Sequence, residues 1–269
     1  MNNSSPENEI RLYSTNRLED IKNEKIAFVI DMYEEITNED FLSLNGDTKL
    51  KRADVITEEI LNFVKLKDFC SEKTEFALYI YNTNLKKEIK FCEISEFMMK
   101  YNDYKNNRYG KDGIAQGESY LDLVEIFKEA EIYTKPMQSI ESYAKQKGKD
   151  NDFIIRFILF YNRSEIPVVM SNNEYNIMTF MRNPYFIFDV IFLRRKISND
   201  DDKKKLLNTF NSLNNIRPQF FYIFEISGSL QKFKFYMNLL LANPTQRIKL
   251  SNIDKFHKKM ENLINNFEQ

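Results

Sequence analysis

The 269-residue chain has no tryptophan, one histidine, two cysteines, and only six glycines and six prolines. Each shortage removes a class of chemistry. A single histidine and two separated cysteines cannot assemble a Cys/His zinc site. His257, between Phe256 and Lys258 in a polar stretch, has no nucleophile or orienting acid signalled around it. It reads as a solvated helix residue. So few cysteines indicate a reduced, intracellular chain. Cys70, ending a long helix, and Cys92, ending a strand, are expected to be buried and unreactive. Gly110, Gly113 and Gly117 share one polar stretch, but no strand immediately precedes them and no Gly-Lys-Ser/Thr follows. They are loop residues and not a phosphate cradle. The apolar runs reach about eight residues, too short to span a bilayer, and the polar, acidic start does not read as a leader. A soluble protein is expected. With 39 basic and 40 acidic residues, the net charge of −1 argues against a broad nucleic-acid surface.

What the chain does have is apolar and aromatic: 42% hydrophobic residues, with 23 Phe and 15 Tyr. A domain of this size buries roughly three quarters of its unfolded surface and needs no disulfide or metal to hold together. Residues 1–23 lack a sustained period and read as an arm. Residues 25–31 form an unbroken apolar run ending in Asp31, which suits a strand buried on both faces. From Thr48, a plausible N-cap, Leu50, Ala53, Ile56, Ile60 and Val64 recur at helical spacing over about six turns. A second strand covers 76–81. Asn82-Thr83-Asn84 then turns it into a shorter, more polar strand ending near Phe91, an antiparallel hairpin at the sheet edge. Helices are predicted at about 93–101, 119–131, 172–182, 201–214, 229–242 and 251–266, and strands at 153–161, 185–192 and 220–226. This alternation means one doubly wound, mostly parallel α/β sheet flanked by helices.

In such sheets ligands bind beyond the carboxyl ends of the strands, which directs attention to Asp31. The remaining charged clusters are bland. Glu58-Glu59 and Asp200-Asp201-Asp202 lie beside lysines and read as solvated, the latter suiting a helix N-terminus. Lys203-Lys204-Lys205 and Arg194-Arg195-Lys196 have acids close by and read as ordinary surface.

Four blocks carry a resemblance. Ile26-Ala27-Phe28-Val29-Ile30-Asp31-Met32-Tyr33-Glu34-Glu35 resembles a first strand in which Asp is followed by a Glu-Glu pair. Lys73-Thr74-Glu75-Phe76-Ala77-Leu78 resembles a second strand reading His-Glu-Phe-Ala-Leu. Residues 183–190 resemble a Cys-Pro-Tyr-Phe-Phe-Phe-Asp-Val block, and residues 239–247 a Leu-Leu-Ala-His-Pro-Leu-Gln-Arg ending. In this order, over 25–247, they resemble the von Willebrand A-like member of the BRISC and BRCA-A deubiquitinase complexes.

The resemblance implies a von Willebrand factor A-like fold and a non-catalytic scaffold subunit without a cofactor. Von Willebrand A domains hold a hard divalent ion through Asp-x-Ser-x-Ser. Here those places are Asp31, Tyr33 and Glu35, and Tyr161-Asn162-Arg163 brings a cation to the end of a later strand, so no working metal site is expected. Asp31 is then expected to serve loop hydrogen bonding. The implied partner is the ubiquitin-fold scaffold subunit of a zinc metalloprotease assembly that cleaves ubiquitin chains in the cytoplasm, or at DNA breaks in the nucleus. Neither nucleic acid nor membrane is contacted directly. Pro244 and Arg247 match a segment implicated in that docking, a fixed backbone beside a bidentate head. The expected organisation is an arm over 1–23, a domain over 24–247 and an amphipathic helix over 248–269 with Ile253, Phe256, Met260 and Ile264 as its stripe. Two other readings stand beside it: a metal-dependent ligand-binding A domain with a degenerate site at Asp31, and a small-molecule enzyme with a pocket near Asp31 and Asn162.

Overall fold

The computed structural model describes residues 23–70, 73–107, 113–117, 119–134, 153–171, 180–183, 185–216, 218 and 220–242. The arm up to residue 22, most of the helix expected at 172–182, the C-terminal helix, Gly110, Pro244, Arg247 and His257 lie outside them; Asn23, expected in the arm, begins the first strand.

In chain order, β1 spans Asn23–Asp31, and β2 (Phe41–Leu42) and β3 (Lys49–Leu50) make a small separate hairpin. Then come α1 (Arg52–Cys70), β4 (Thr74–Tyr81), β5 (Leu85–Glu93), α2 (Ile94–Asn107) and α3 (Leu123–Thr134). The chain continues with β6 (Phe153–Tyr161), β7 (Phe186–Leu193), α4 (Asp200–Asn214), β8 (Phe220–Ile226) and α5 (Leu230–Leu241). The six-stranded sheet has the order β5-β4-β1-β6-β7-β8, all parallel except the antiparallel edge strand β5. The expected edge hairpin is present, although β5, with nine residues, is one longer than β4.

Strand periodicity divides the core in two. Ile26, Phe28 and Ile30 face α1, α2 and α5, whereas Ala27 and Val29 face α3 and α4. Helices on both faces explain why β6 and β7 are almost unbroken apolar runs. Phe28 shows how dense the first layer is. It is fully buried, and its ring centroid lies 5.6–6.4 Å from those of Phe63, Phe76, Phe97 and Phe160. Burying one such side chain contributes about 1.5–3 kcal/mol.

Four expectations require correction. Thr48 is not the N-cap of α1, because Ser43 and Thr48 close the β2–β3 turn: Ser43 N donates to the Thr48 carbonyl and Thr48 N to Ser43 Oγ. Leu50 pairs with Phe41 instead of entering the helix. Cys70 is exposed, and only Cys92 is buried. Glu59 is buried, not solvated; it faces Lys234 of α5 at 3.5 Å, and burial raises its carboxyl above the ordinary range. The acids at 200–202 do begin a helix, capped by Asn199, whose side chain accepts from Asp202 N.

Candidate functional site

β1 sits between β4 and β6, so the crevice beyond the carboxyl ends of β1 and β6 is the topological switch point of the sheet. Asp31 is the last residue of β1, and Asn162 and Arg163 follow β6 directly. All three are fully buried.

Arg163 grips Asp31. Its Nε lies 3.1 Å from both carboxylate oxygens, and its Nη2 lies 2.8 Å from Oδ1. Nη2 also donates to the Asn82 carbonyl at 3.2 Å, and Nη1 to the carbonyl and Oγ of Ser119. The backbone N–H of Asn162 donates to Asp31 Oδ2 at 3.1 Å, and its side-chain amide to the Asp31 carbonyl at 2.9 Å. Every group directed at this carboxylate is a donor, and these donors work against the cost of burying its charge. The rings of Tyr33 and Tyr81 lie 5.0 and 5.8 Å from the guanidinium carbon. The expectation of a loop hydrogen bond was therefore incomplete, since the main partner of Asp31 is a buried cation.

The places where the metal pattern has serines are also committed. The Tyr33 hydroxyl lies 3.1 Å from Glu34 Oε1 and 3.0 Å from the Gly117 carbonyl. Desolvation, then Glu34, pushes this phenol up to about 12. Glu35 accepts from Ser164 N at 2.9 Å, from Ser164 Oγ, and from Arg52 Nη1 at 3.1 Å. Arg52, fully buried at the start of α1, also donates to the Leu193 carbonyl at 2.8 Å and grips Asp40 through Nε and Nη2 at 2.6–3.0 Å. Sequence reasoning found Asp31, Tyr33, Glu35 and Arg163 but missed Arg52, Asp40, Ser119 and Ser164. Among the described residues no group of three or more His, Cys, Asp or Glu is placed to share a metal ion.

Burial raises the Asp31 carboxyl, and the charge and hydrogen bonds of Arg163 and the Asn162 N–H oppose it. The folded form therefore binds this proton more tightly than the unfolded chain does. The contribution of the group to stability is fully present below the ordinary carboxylate value and declines as pH rises through the raised one. Denaturant unfolding across the acid range should show this declining component in the wild type, and Asp31→Asn should lack it. Identical profiles for the two proteins would rule it out.

No family model matches the chain. It is 24% identical over 226 residues to BRISC and BRCA1-A complex member 1 of Xenopus tropicalis, covering 83% of this chain and 66% of that protein. It is 23% identical over 228 residues to the Danio rerio protein of the same description, covering 83% and 58%. The matched stretch thus spans less than two thirds of these relatives. Among solved structures, the PilB minor pilin from Streptococcus sanguinis is similar at a TM-score of 0.51 and 10% identity, over 85% of this chain and 62% of that one. The fold is von Willebrand factor A-like. The SpRpn10 VWA domain is similar at a TM-score of 0.47 and 12% identity, over 84% of this chain and 98% of that one. At the end of β1 the acid is held by an arginine and a backbone N–H.

Proposed function

We propose that this chain is a non-catalytic scaffold subunit of a BRISC-like assembly. It binds the ubiquitin-fold scaffold subunit and so stabilises a zinc metalloprotease that cleaves ubiquitin chains. One observation carries the reading. At the switch point, where this fold takes ligands, Asp31 and Glu35 are engaged by Arg163 and Arg52, and Tyr33 is held by neighbouring loop atoms. Polar groups so engaged serve shape, which is what a subunit recognised by its surface requires. The distant homology to complex members supports the same reading. Pro244 and Arg247, just beyond α5, are proposed as docking residues, and the cytoplasm and nucleus as the places of assembly.

Purifying the tagged full chain from its native cells tests this. The eluate should contain a metalloprotease and a ubiquitin-fold scaffold and should cleave ubiquitin chains until zinc is chelated, whereas the recombinant chain alone should be inactive. Truncating an arginine anchor in an interface characteristically costs 2 kcal/mol or more, so Pro244→Ala with Arg247→Ala should lower capture of the scaffold by roughly tenfold or more. A chain recovered without such companions would overturn the assignment. Companions retained at full yield by the double variant would overturn the docking residues alone.

A further inference from the structure

The Arg163 guanidinium has five N–H donors, and the hydrogen bonds given above occupy all of them with oxygen atoms: those of the Asp31 carboxylate, the Asn82 carbonyl, and the carbonyl and hydroxyl of Ser119. Tyr33 and Tyr81 present ring faces within cation–π distance. The hydrogen-bonding atoms around it come from three separated parts of the chain: the end of β1, the β4–β5 turn and the loop before α3. We infer that this is a binding site for a planar organic cation whose occupant is the protein's own side chain.

The chemistry decides between this class and a hard divalent ion. A magnesium-type ion requires near-octahedral oxygen coordination and favours several carboxylate, hydroxyl or water ligands. The cage has one carboxylate, and the Glu35 carboxylate that could have been a second is drawn to Arg52 and Ser164. A divalent ion beside Asp31 would also lie against the guanidinium charge, so the residues present do not fit the metal of the fold. Flat geometry, oxygen acceptors around the whole rim and two aromatic faces do fit an alkylguanidinium. The role of such a site is to join the loops at the ligand-binding edge without any exogenous ion. This inference is independent of the scaffold reading.

Arg163→Ala removes ethylguanidinium from beyond Cβ, and that compound is the probe. In the full chain the variant should melt roughly 10 °C below the wild type, the order expected when a buried pair loses one partner in a domain of this size. Ethylguanidinium at millimolar concentration should restore several degrees saturably in Arg163→Ala. It should have no such effect on the wild type or on Arg163→Ala combined with Asp31→Ala, and magnesium should restore less. Should Arg163→Ala not fold unaided, refolding yield with and without ethylguanidinium replaces the melting readout, with recovery only in its presence as the expected result. No saturable rescue, equal stabilisation of the wild type, or better rescue by magnesium would each overturn the inference.

Discussion

Replacing Arg156 by alanine is expected to cost about 3–5 kcal/mol, among the largest losses any single truncation in this protein should cause. Arg156 lies in the interior of β6, fully buried, with Nε 2.9 Å from the equally buried Asp189 of β7. Its Nη1 donates to the Leu240 carbonyl in the last turn of α5 and lies 4.0 Å from Glu24 Oε2. Glu24 in turn holds Lys67 of α1 at 2.8 Å, and Lys67 also donates to the Leu241 carbonyl at 3.1 Å. Two cations and two anions thus meet the C-terminus of α5, the helix end at which positive charge is favoured. Without Arg156, Asp189 loses the cation 2.9 Å from its Oδ2. Glu24 Oε2, which accepts no hydrogen bond among the described residues, loses a cation 4.0 Å away. Arg156→Met with Asp189→Asn should cost much less, since neither new side chain carries a charge and the asparagine oxygen can still accept from Tyr222 N as Asp189 Oδ1 does at 3.1 Å. Urea unfolding of the wild type, Arg156→Ala and the double variant checks both statements. A loss below about 1 kcal/mol for Arg156→Ala would mean that water reaches the cluster and solvates the charges left behind.

This cluster marks the boundary of what the sequence could reveal. β6 and β8 have the bounds read from it, because parallel strands covered on both faces appear as continuous apolar runs. A lone charge inside such a run is a sign of buried pairing, but nothing in the sequence aligns Arg156 with Asp189 until the sheet is assembled. The start of α1 was misread for a different reason. Leu50 happens to fall in phase with Ala53 and Ile56, and strands of two residues have no period that could compete with that pattern. Cys70 is expected inside because it ends a long helix. Instead, Lys67 continues the inward line of Ile56, Ile60 and Val64, where Glu24 and the Leu241 carbonyl receive its ammonium. At the candidate site, the loss of the serine pattern and the approach of Arg163 were legible. Arg52 was not, because its link to Glu35 depends on the β2–β3 hairpin folding back between them.

Gly228→Ala should be the most damaging small substitution and should act on the candidate site from a distance. Gly228 has φ +69°, and a Cβ there would stand 2.4 Å from the Asp40 carbonyl oxygen. Gly113 has a comparable φ of +84° with nothing within 4 Å of its would-be Cβ, so it isolates the backbone term. Strain of that kind costs about 1–2 kcal/mol, and forced overlap in a packed place adds about 1–3 kcal/mol. Gly228→Ala is therefore expected to lose about 2–5 kcal/mol, and Gly113→Ala only the smaller part. The overlap cannot be relieved by a rotamer change, because both the new Cβ and the Asp40 oxygen belong to, or are fixed by, the backbone. The Gly228 carbonyl also accepts from Leu42 N at 3.2 Å, and Ser229 caps α5, so the turn is held from both sides. Relief must come from Asp40, whose carboxylate holds Arg52, which holds Glu35, which accepts from the Ser164 N–H beside Arg163. Amide hydrogen exchange at Ser164 should then accelerate in Gly228→Ala and stay near the wild-type rate in Gly113→Ala. Equal stability losses in the two variants, with Ser164 protected in both, would show that the Asp40 loop yields freely and that Arg52 does not hold the switch-point residues in place.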